Sequence, residues 1–448
     1  MADKKISELT AADALADADQ VPVVQGGTTK RATLAQVAAH AALAAIAYQN
    51  TIIVDEAGDG DYTSLVAAMA GIISPSATNC WRVLVYGDLT ESATIEVPSY
   101  TTIEGVGDAS VKLADATDDH LIANADQVSG NADICIRNLH LDGNRVGQTN
   151  ALAANASHSI YMVGVDGLTL ENIHCRETLD QAFKLLDCTN IRAVNCGCNG
   201  AGTEGWSIEN CQYGLFTNVY ALNIDGLDAD GETERPGGPA ASGFEIEDGT
   251  QYITMTNVLC LNCLQNTSWH TQSHDAGSVG HITVNGLICV GFAEMGVTLA
   301  GLDGPVTISG MHLVGTGVGI RVISLYPINV SDFYIEATVT GIHNYYDGDG
   351  LKMSNGTVIA ATPVSFDAGT AAQLNLARIE TTNAAYAGMA LPAGSKALGC
   401  SFVGGAYGIA SIAASAFVLG CDFSGHATGG INAAGTDVNA VVANNYGD

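Results

Sequence analysis

Ile134-Cys-Ile-Arg-Asn138-Leu-His-Leu141, Leu168-Thr-Leu-Glu-Asn172-Ile-His-Cys175, Ile253-Thr-Met-Thr-Asn257-Val-Leu-Cys260 and Ile282-Thr-Val-Asn-Gly286-Leu-Ile-Cys289 are copies of one pattern. It reads apolar, any, apolar, polar, then Asn, Gly or Asp, then apolar, any, apolar. Further copies are Val306-Thr-Ile-Ser-Gly310-Met-His-Leu313, Ile328-Asn-Val-Ser-Asp332-Phe-Tyr-Ile335 and Leu351-Lys-Met-Ser-Asn355-Gly-Thr-Val358. Weaker ones centre on Gly105, Asn195, Asn218, Arg378, Cys400, Cys421 and Ala443. The centres 172, 195 and 218 are 23 residues apart, and those from 286 to 443 advance by 21 to 24. A fixed period of this length means a solenoid. Each half of the motif alternates at period two and reads as a short strand, and the Asn, Gly or Asp between the halves suits a bend through the left-handed region. Stacked coils about 4.8 Å apart would set Ile, Val, Leu and Cys in inward ladders. The fixed leucine spacing of a leucine-rich repeat is absent, and a sandwich would need hairpins. The predicted fold is all-β: a parallel β-helix over residues 101–448.

The 448 residues carry 47 Asp and Glu against 16 Lys and Arg, a formal charge of −31. Nucleic acid is excluded as an expected partner, because binding it rests on a basic surface. The same field favours neutral or zwitterionic ligands over polyanions. The start, Met1-Ala2-Asp3-Lys4-Lys5, leads into polar sequence rather than the apolar core of a signal peptide, so synthesis in the cytoplasm is expected. No segment reads as a membrane span, since Leu34 to Tyr48 contains Gln36 and His40. The 12 cysteines fall largely at recurrent apolar positions and read as buried thiols; Cys196-x-Cys198 and Cys260-x-x-Cys263 lack the second pair that a zinc site needs.

Val54 to Met69, Arg82 to Gly87 and Thr101-Thr-Ile-Glu-Gly-Val-Gly107 resemble the entry of the pectin-lyase-like superfamily of right-handed parallel β-helices, a likeness that extends over residues 51–448. Residues 51–100 are then the entry, with Tyr62 to Ile73 a capping helix begun by Asp61 or Thr63. Lys5 to Leu34 is similar to the N-terminal modules that attach bacteriophage tail fibres and tailspikes to the virion. Residues 1–50 are therefore expected to form an attachment module: Val21-Pro-Val-Val a strand, Gln25-Gly-Gly-Thr-Thr a turn, and Thr33 to Ala47 an Ala-rich neck helix capped by Thr33. The tailspike resemblance implies a homotrimer in the virion tail, contact with tail or adaptor proteins, and recognition of a bacterial surface polysaccharide. It implies no cofactor.

A third strand precedes each motif: Ile160-Tyr-Met-Val163, Phe183-Lys-Leu-Leu186, Trp206-Ser-Ile-Glu209, Phe244-Glu-Ile-Glu247, Val297-Thr-Leu-Ala300, Ile320-Arg-Val-Ile323 and Ile342-His-Asn-Tyr345. With the first residue inward, Tyr161, Lys184, Ser207, Glu245, Thr298, Arg321 and His343 form one outward column, and Glu209 and Glu247 belong to the next. Centres 218 and 257 lie 39 apart and 257 and 286 lie 29 apart. The coils with Asp225 to Gly243 and Asn262 to Gly280 are therefore read as carrying insertions of about sixteen and six residues, which map to loops on one face. These hold Asp225, Asp228, Trp269, His270 and His274. Glycoside hydrolysis needs two carboxyl groups. Strand geometry puts Glu245 and Glu247 about 6.5 to 7 Å apart and Glu209 and Glu247 about 5 Å apart. The candidate catalytic residues are thus Glu209, Glu245, Glu247, Asp225 and Asp228, with Tyr161, Lys184, Trp269, His270, His274 and Arg321 binding substrate. A solvated acidic strand is the bland alternative. Asn223-Ile-Asp225-Gly-Leu-Asp228 resembles a polygalacturonase stretch, but that family's later motifs are missing and its specificity does not carry over. Asp228-x-Asp230-x-Glu232 reads as a turn rather than a calcium loop, and no metal is assigned. A lyase, with Tyr161, His270 or His343 as base and Lys184 or Arg321 as cation, and a binding-only protein are the alternatives.

Overall fold

The computed structural model describes residues 20–25, 28–33, 50–149, 157–227, 241–270, 279–324, 326–345, 351–366, 372–386, 388–413, 415–424, 426–432, 441–443 and 445. Twenty-seven of the strands form a single parallel sheet wound into a right-handed β-helix. Each central coil supplies a first and a second strand separated by a bend, then a third. The first and second strands stack through Asn131–Asp142, Val165–Thr178, the pair Thr189–Val194 and Gly197–Ala201, Gln212–Ile224, Gln251–Leu261, Gly280–Phe292 and Val306–Gly315. The third strands stack as Ile160–Val163, Phe183–Leu186, Trp206–Glu209, Ser242–Glu247, Gln265–His270, Met295–Ala300 and Val318–Ile323. Like residues lie over like: Ile253, Ile282, Val306, Ile328 and Leu351 are in register and buried. On the third face Trp206 stacks between Phe183, 3.8 Å away, and Phe244, at 5.8 Å. Burial of such ladders supplies the main favourable term, roughly 1.5–3 kcal/mol per large apolar side chain.

The bend between first and second strands explains the repeat. Asn138, Asn172, Asn195, Asn218 and Asn257 have φ of 56°, 53°, 54°, 53° and 54°. In that region asparagine is tolerated better than most residues with a Cβ, because its short polar side chain bonds locally. Here the bonds run between coils: each of the last four donates its amide to the carbonyl oxygen of the asparagine above, at 2.8 to 3.0 Å. Gly286, Gly310, Asp332 and Asn355 continue the bend at positive φ.

Of the weaker copies, Asn195 and Asn218 sit at the bend as expected, but the others centre elsewhere. The left-handed residues are Gly107 rather than Gly105, Leu376 rather than Arg378, and Gly399 and Gly420 rather than Cys400 and Cys421, whose thiols are buried. Ala443 lies within the strand Val441–Ala443. Without an asparagine to mark the bend, apolar spacing alone misplaces it by one or two residues, and near Gly107 the register also shifts.

The capping helix is shorter than expected, Leu65–Ala70, and its N-cap is Ser64 rather than Asp61 or Thr63. Ser64 Oγ accepts from the Ala67 N–H, while the buried Glu91 accepts from both Ser64 Oγ and the Leu65 N–H. This long-range partner is invisible to local capping rules. Leu65, Ala68 and Met69 pack onto the core of the first coils. At the N-terminus Gln20–Gln25 pairs antiparallel with Thr28–Thr33, closing between Gln25 and Thr28. Thr33 is the last residue of that strand; the neck helix expected from it onward, and so its role as N-cap, lies outside the described residues. All twelve cysteines are free thiols and ten are buried. Among the described residues no helix is long and apolar enough to cross a membrane.

Candidate functional site

The third strands place Tyr161, Lys184, Ser207, Glu245, Ser268, Thr298, Arg321 and His343 in one register column. Glu209, Glu247 and His270 share the next. The columns are as expected, but their environment is not. Lys184 is 8 % exposed, Glu245 6 % and Glu247 3 %, and Ser207 is fully buried. These side chains alternate away from Phe183, Trp206 and Phe244 and are nevertheless excluded from water, so a solvated acidic strand does not describe them.

Lys184 is the centre of the set. Its Nζ donates to Glu209 Oε2 at 2.7 Å and to Ser207 Oγ at 3.0 Å, and lies 3.8 Å from Glu247 Oε1. Ser207 Oγ is 3.3 Å from Glu247 Oε1. Burial alone would lower the Lys184 pKa, but the Glu209 hydrogen bond and charge, with Glu247 and Glu204 behind them, hold it above the ordinary lysine value. Tyr161 lies one coil before Lys184 and packs against His120 at 4.3 Å and His158 at 5.2 Å, the two imidazoles being stacked 4.9 Å apart. Burial pushes the Tyr161 phenol up, with Lys184 opposing.

A further column was missed in the sequence. Counting two residues back from the first inward residue of each third strand gives His120, His158, Gln181, Glu204 and Ser242. Glu204 is 6 % exposed, and its carboxyl is pushed well above the carboxylate range, first by burial and then by the charge of Glu245. Its Oε2 is buried with no hydrogen-bond partner, as are Gln181 Oε1, Ser242 Oγ and both amide atoms of Asn266. Aligning the coils two positions earlier would have found this column; starting at the first apolar residue hid it.

The other expected residues disperse. Asp225 chelates the buried Arg145, whose two terminal nitrogens donate to it at 3.2 and 2.9 Å, and it also accepts from the Leu227 N–H. That pairing joins two turns following second strands. Arg321 lies three coils beyond Glu245, beside Met295 and 5.0 Å from the Tyr345 ring centre. Trp269 and His270 are not in a loop: Gln265–His270 is a third strand, with Trp269 paired to Ile246 and Leu299 and His270 paired to Glu247. The extra length of that coil falls after His270 instead of beginning at Asn262. Asp228 and His274 lie outside the described residues. No three His, Cys, Asp or Glu side chains among the described residues group as metal ligands.

No protein-family model matches the sequence. No curated protein matches it either. Solved structures do share its fold. A tailspike protein of E. coli bacteriophage HK620, in complex with a hexasaccharide, is 12% identical with a TM-score of 0.55, over 95% of this chain and 83% of that one. Pre-mature gene product 12 of bacteriophage phi29 is 16% identical with a TM-score of 0.54, over 79% of this chain and 54% of that one. The A-module of the Azotobacter vinelandii mannuronan C-5 epimerase AlgE6 is 15% identical with a TM-score of 0.50, over 85% of this chain and 94% of that one. The chain is thus a right-handed parallel β-helix of the kind found in a phage tailspike and in a mannuronan epimerase.

Proposed function

We propose that this chain is a bacteriophage tailspike that binds a bacterial surface polysaccharide, an O-antigen or capsule, and hydrolyses it. In this reading residues 1 to about 50 attach it to the virion tail or an adaptor, and three copies stand side by side. The observation that carries the enzymatic part is the buried cluster of carboxyls about Lys184, in which burial and then the neighbouring Glu245 hold the Glu204 carboxyl well above the usual carboxylate range. A carboxyl held in its acid form beside a second carboxyl is what glycoside hydrolysis uses. Glu204 gives its proton to the glycosidic oxygen as the C–O bond breaks and the electron pair leaves with that oxygen. Glu245 takes a proton from the attacking water, whose oxygen bonds to the anomeric carbon. Glu209 and Glu247, fixed by Lys184, accept hydrogen bonds from sugar hydroxyls. The shared fold of a tailspike solved with a hexasaccharide supports a glycan as the ligand.

Tyr161, with His120, His158 and Lys184 nearby, supports elimination as a second reading. It is weaker, because burial works against a phenolate base and Lys184 is committed to glutamates rather than open to a uronate. Incubation with a panel of purified O-antigen and capsular polysaccharides separates the readings. Saturated oligosaccharides with new reducing ends are expected from the intact chain and not from Glu204→Gln or Glu245→Gln. Products with an ultraviolet-absorbing C=C bond would move the chemistry to Tyr161. Retention of a glycan without cleavage would leave a binding spike.

A further inference from the structure

The outward side of the second strands carries an apolar stripe on an otherwise acidic chain. Tyr220, Leu259 and Ile288 are in register on three successive coils, and Leu222, Leu261 and Val290 stand beside them. All six alternate with core residues such as Cys260 and Cys289, so they face away from the interior; all are at least partly exposed, Ile288 at 44 %. The next coil adds His312 and Val314 in the same two columns. Over these four coils neither column contains Asp, Glu, Lys or Arg, in a chain with 47 acidic residues. Beyond them charge returns: the Arg176–Asp142 pair at one end, Glu336 and the Arg378–Glu380 pair at the other.

We infer that this stripe is the surface by which the chain packs against a second copy of itself. The inference rests on the side-by-side assembly proposed above and assigns the face that makes it. Three features favour a copy over another occupant. A stripe parallel to the coil stack lies at the same height as its equivalent in any copy related by rotation about a parallel axis, and meets it when the stripe faces that axis. It is the part of the second face where copies of charge −31 approach without bringing like charges together. The four coils of the stripe, about 4.8 Å apart and about 13 Å wide, also present roughly 250 Å², an apolar centre within the roughly 800 Å² per partner that a stable interface covers. An apolar centre with a charged rim is the usual anatomy of such a contact.

Light scattering on the full chain tests the assignment. The unaltered chain is expected to be oligomeric at micromolar concentration, and Leu259→Asp/Ile288→Asp to weaken association at least 100-fold. Leu215→Asp, at a 45 % exposed position on the first strands, should leave the mass unchanged. Both changes are at outward positions, and an unaltered circular dichroism melt checks that the coils remain folded. Ile288→Cys provides a second measurement: mild oxidation should form an inter-chain disulfide, with the parent chain, whose Cys80 and Cys135 are partly exposed, oxidised in parallel as the control. An oligomeric double variant together with no new disulfide overturns this face while leaving the assembly standing. A monomeric parent chain overturns the assembly, and this face with it.

Discussion

Lys184 Nζ lies 2.7 Å from Glu209 Oε2 on the next coil, both groups being largely shielded from water. The same ammonium is 3.8 Å from Glu247, so one cation compensates two carboxylates on a face that also holds Glu245. Removing it would leave like charges facing each other at low dielectric, the costly way to break a buried pair. Lys184→Met is expected to lower the unfolding free energy by about 2–4 kcal/mol. Urea denaturation at neutral pH measures this, and the deficit should shrink as the glutamates protonate in acid. A deficit below about 0.5 kcal/mol, the range of exposed pairs, would mean that the cluster is solvated.

The asparagine ladder makes a prediction about backbone conformation. Asn195 has φ of 54°, donates to Asn172 and accepts from Asn218. Asn195→Ala loses both bonds and puts a plain Cβ in the left-handed region, at an expected cost of about 1–2 kcal/mol. Asn195→Gly loses the bonds but relaxes the backbone, as Gly286 and Gly310 do in the same column, and should cost less. Thermal melts rank the two; alanine equal to or better than glycine would remove backbone strain as the reason for the repeat.

Leu376 is the converse case. It occupies the same bend with φ of 51° and is 65 % exposed. Its side chain therefore returns little burial for a conformation that costs a leucine about 1–2 kcal/mol. Leu376→Asn or Leu376→Gly is expected to stabilise the chain by about 1 kcal/mol, read as a raised denaturation midpoint.

These bends also explain what was legible in the sequence. Asn138, Asn172, Asn195, Asn218 and Asn257 mark the coil by chemistry as well as spacing, so coil length, strand register and the inward ladders followed from it. Leu376 and Gly107 carry no such mark, and there the register slipped. At the site, alternation placed Lys184, Glu245 and Glu247 in their columns but could not reveal their burial, which depends on neighbouring parts of the fold. Asp225 pairs with Arg145, 80 residues away, and a contact at that separation leaves no local signal. Glu204 was overlooked because it precedes the apolar residue at which each third strand is recognised.

Glu204 gives the prediction in which stability and activity diverge. Its folded pKa is raised, first by burial and then by Glu245, whereas in the unfolded chain it should titrate near the ordinary glutamate value of about 4.3. The native state therefore holds this proton more tightly. The contribution is fully present below pH about 4.3 and is lost as pH rises through the folded pKa. Glu204→Gln stays neutral throughout, so its melting temperature should match the parent near pH 4 and equal or exceed it at pH 7. If Glu204 supplies the proton to the leaving oxygen, the same variant should lose at least about 100-fold in polysaccharide cleavage, the lower range for removing a general acid. A stabilised variant that cleaves at the parent rate would mark Glu204 as a structural buried acid and shift the proton donor to another carboxyl of the cluster. A variant less stable than the parent at pH 7 would mean that the carboxyl is ionised in the folded chain, and the Glu204–Glu245 pairing would no longer divide acid from base.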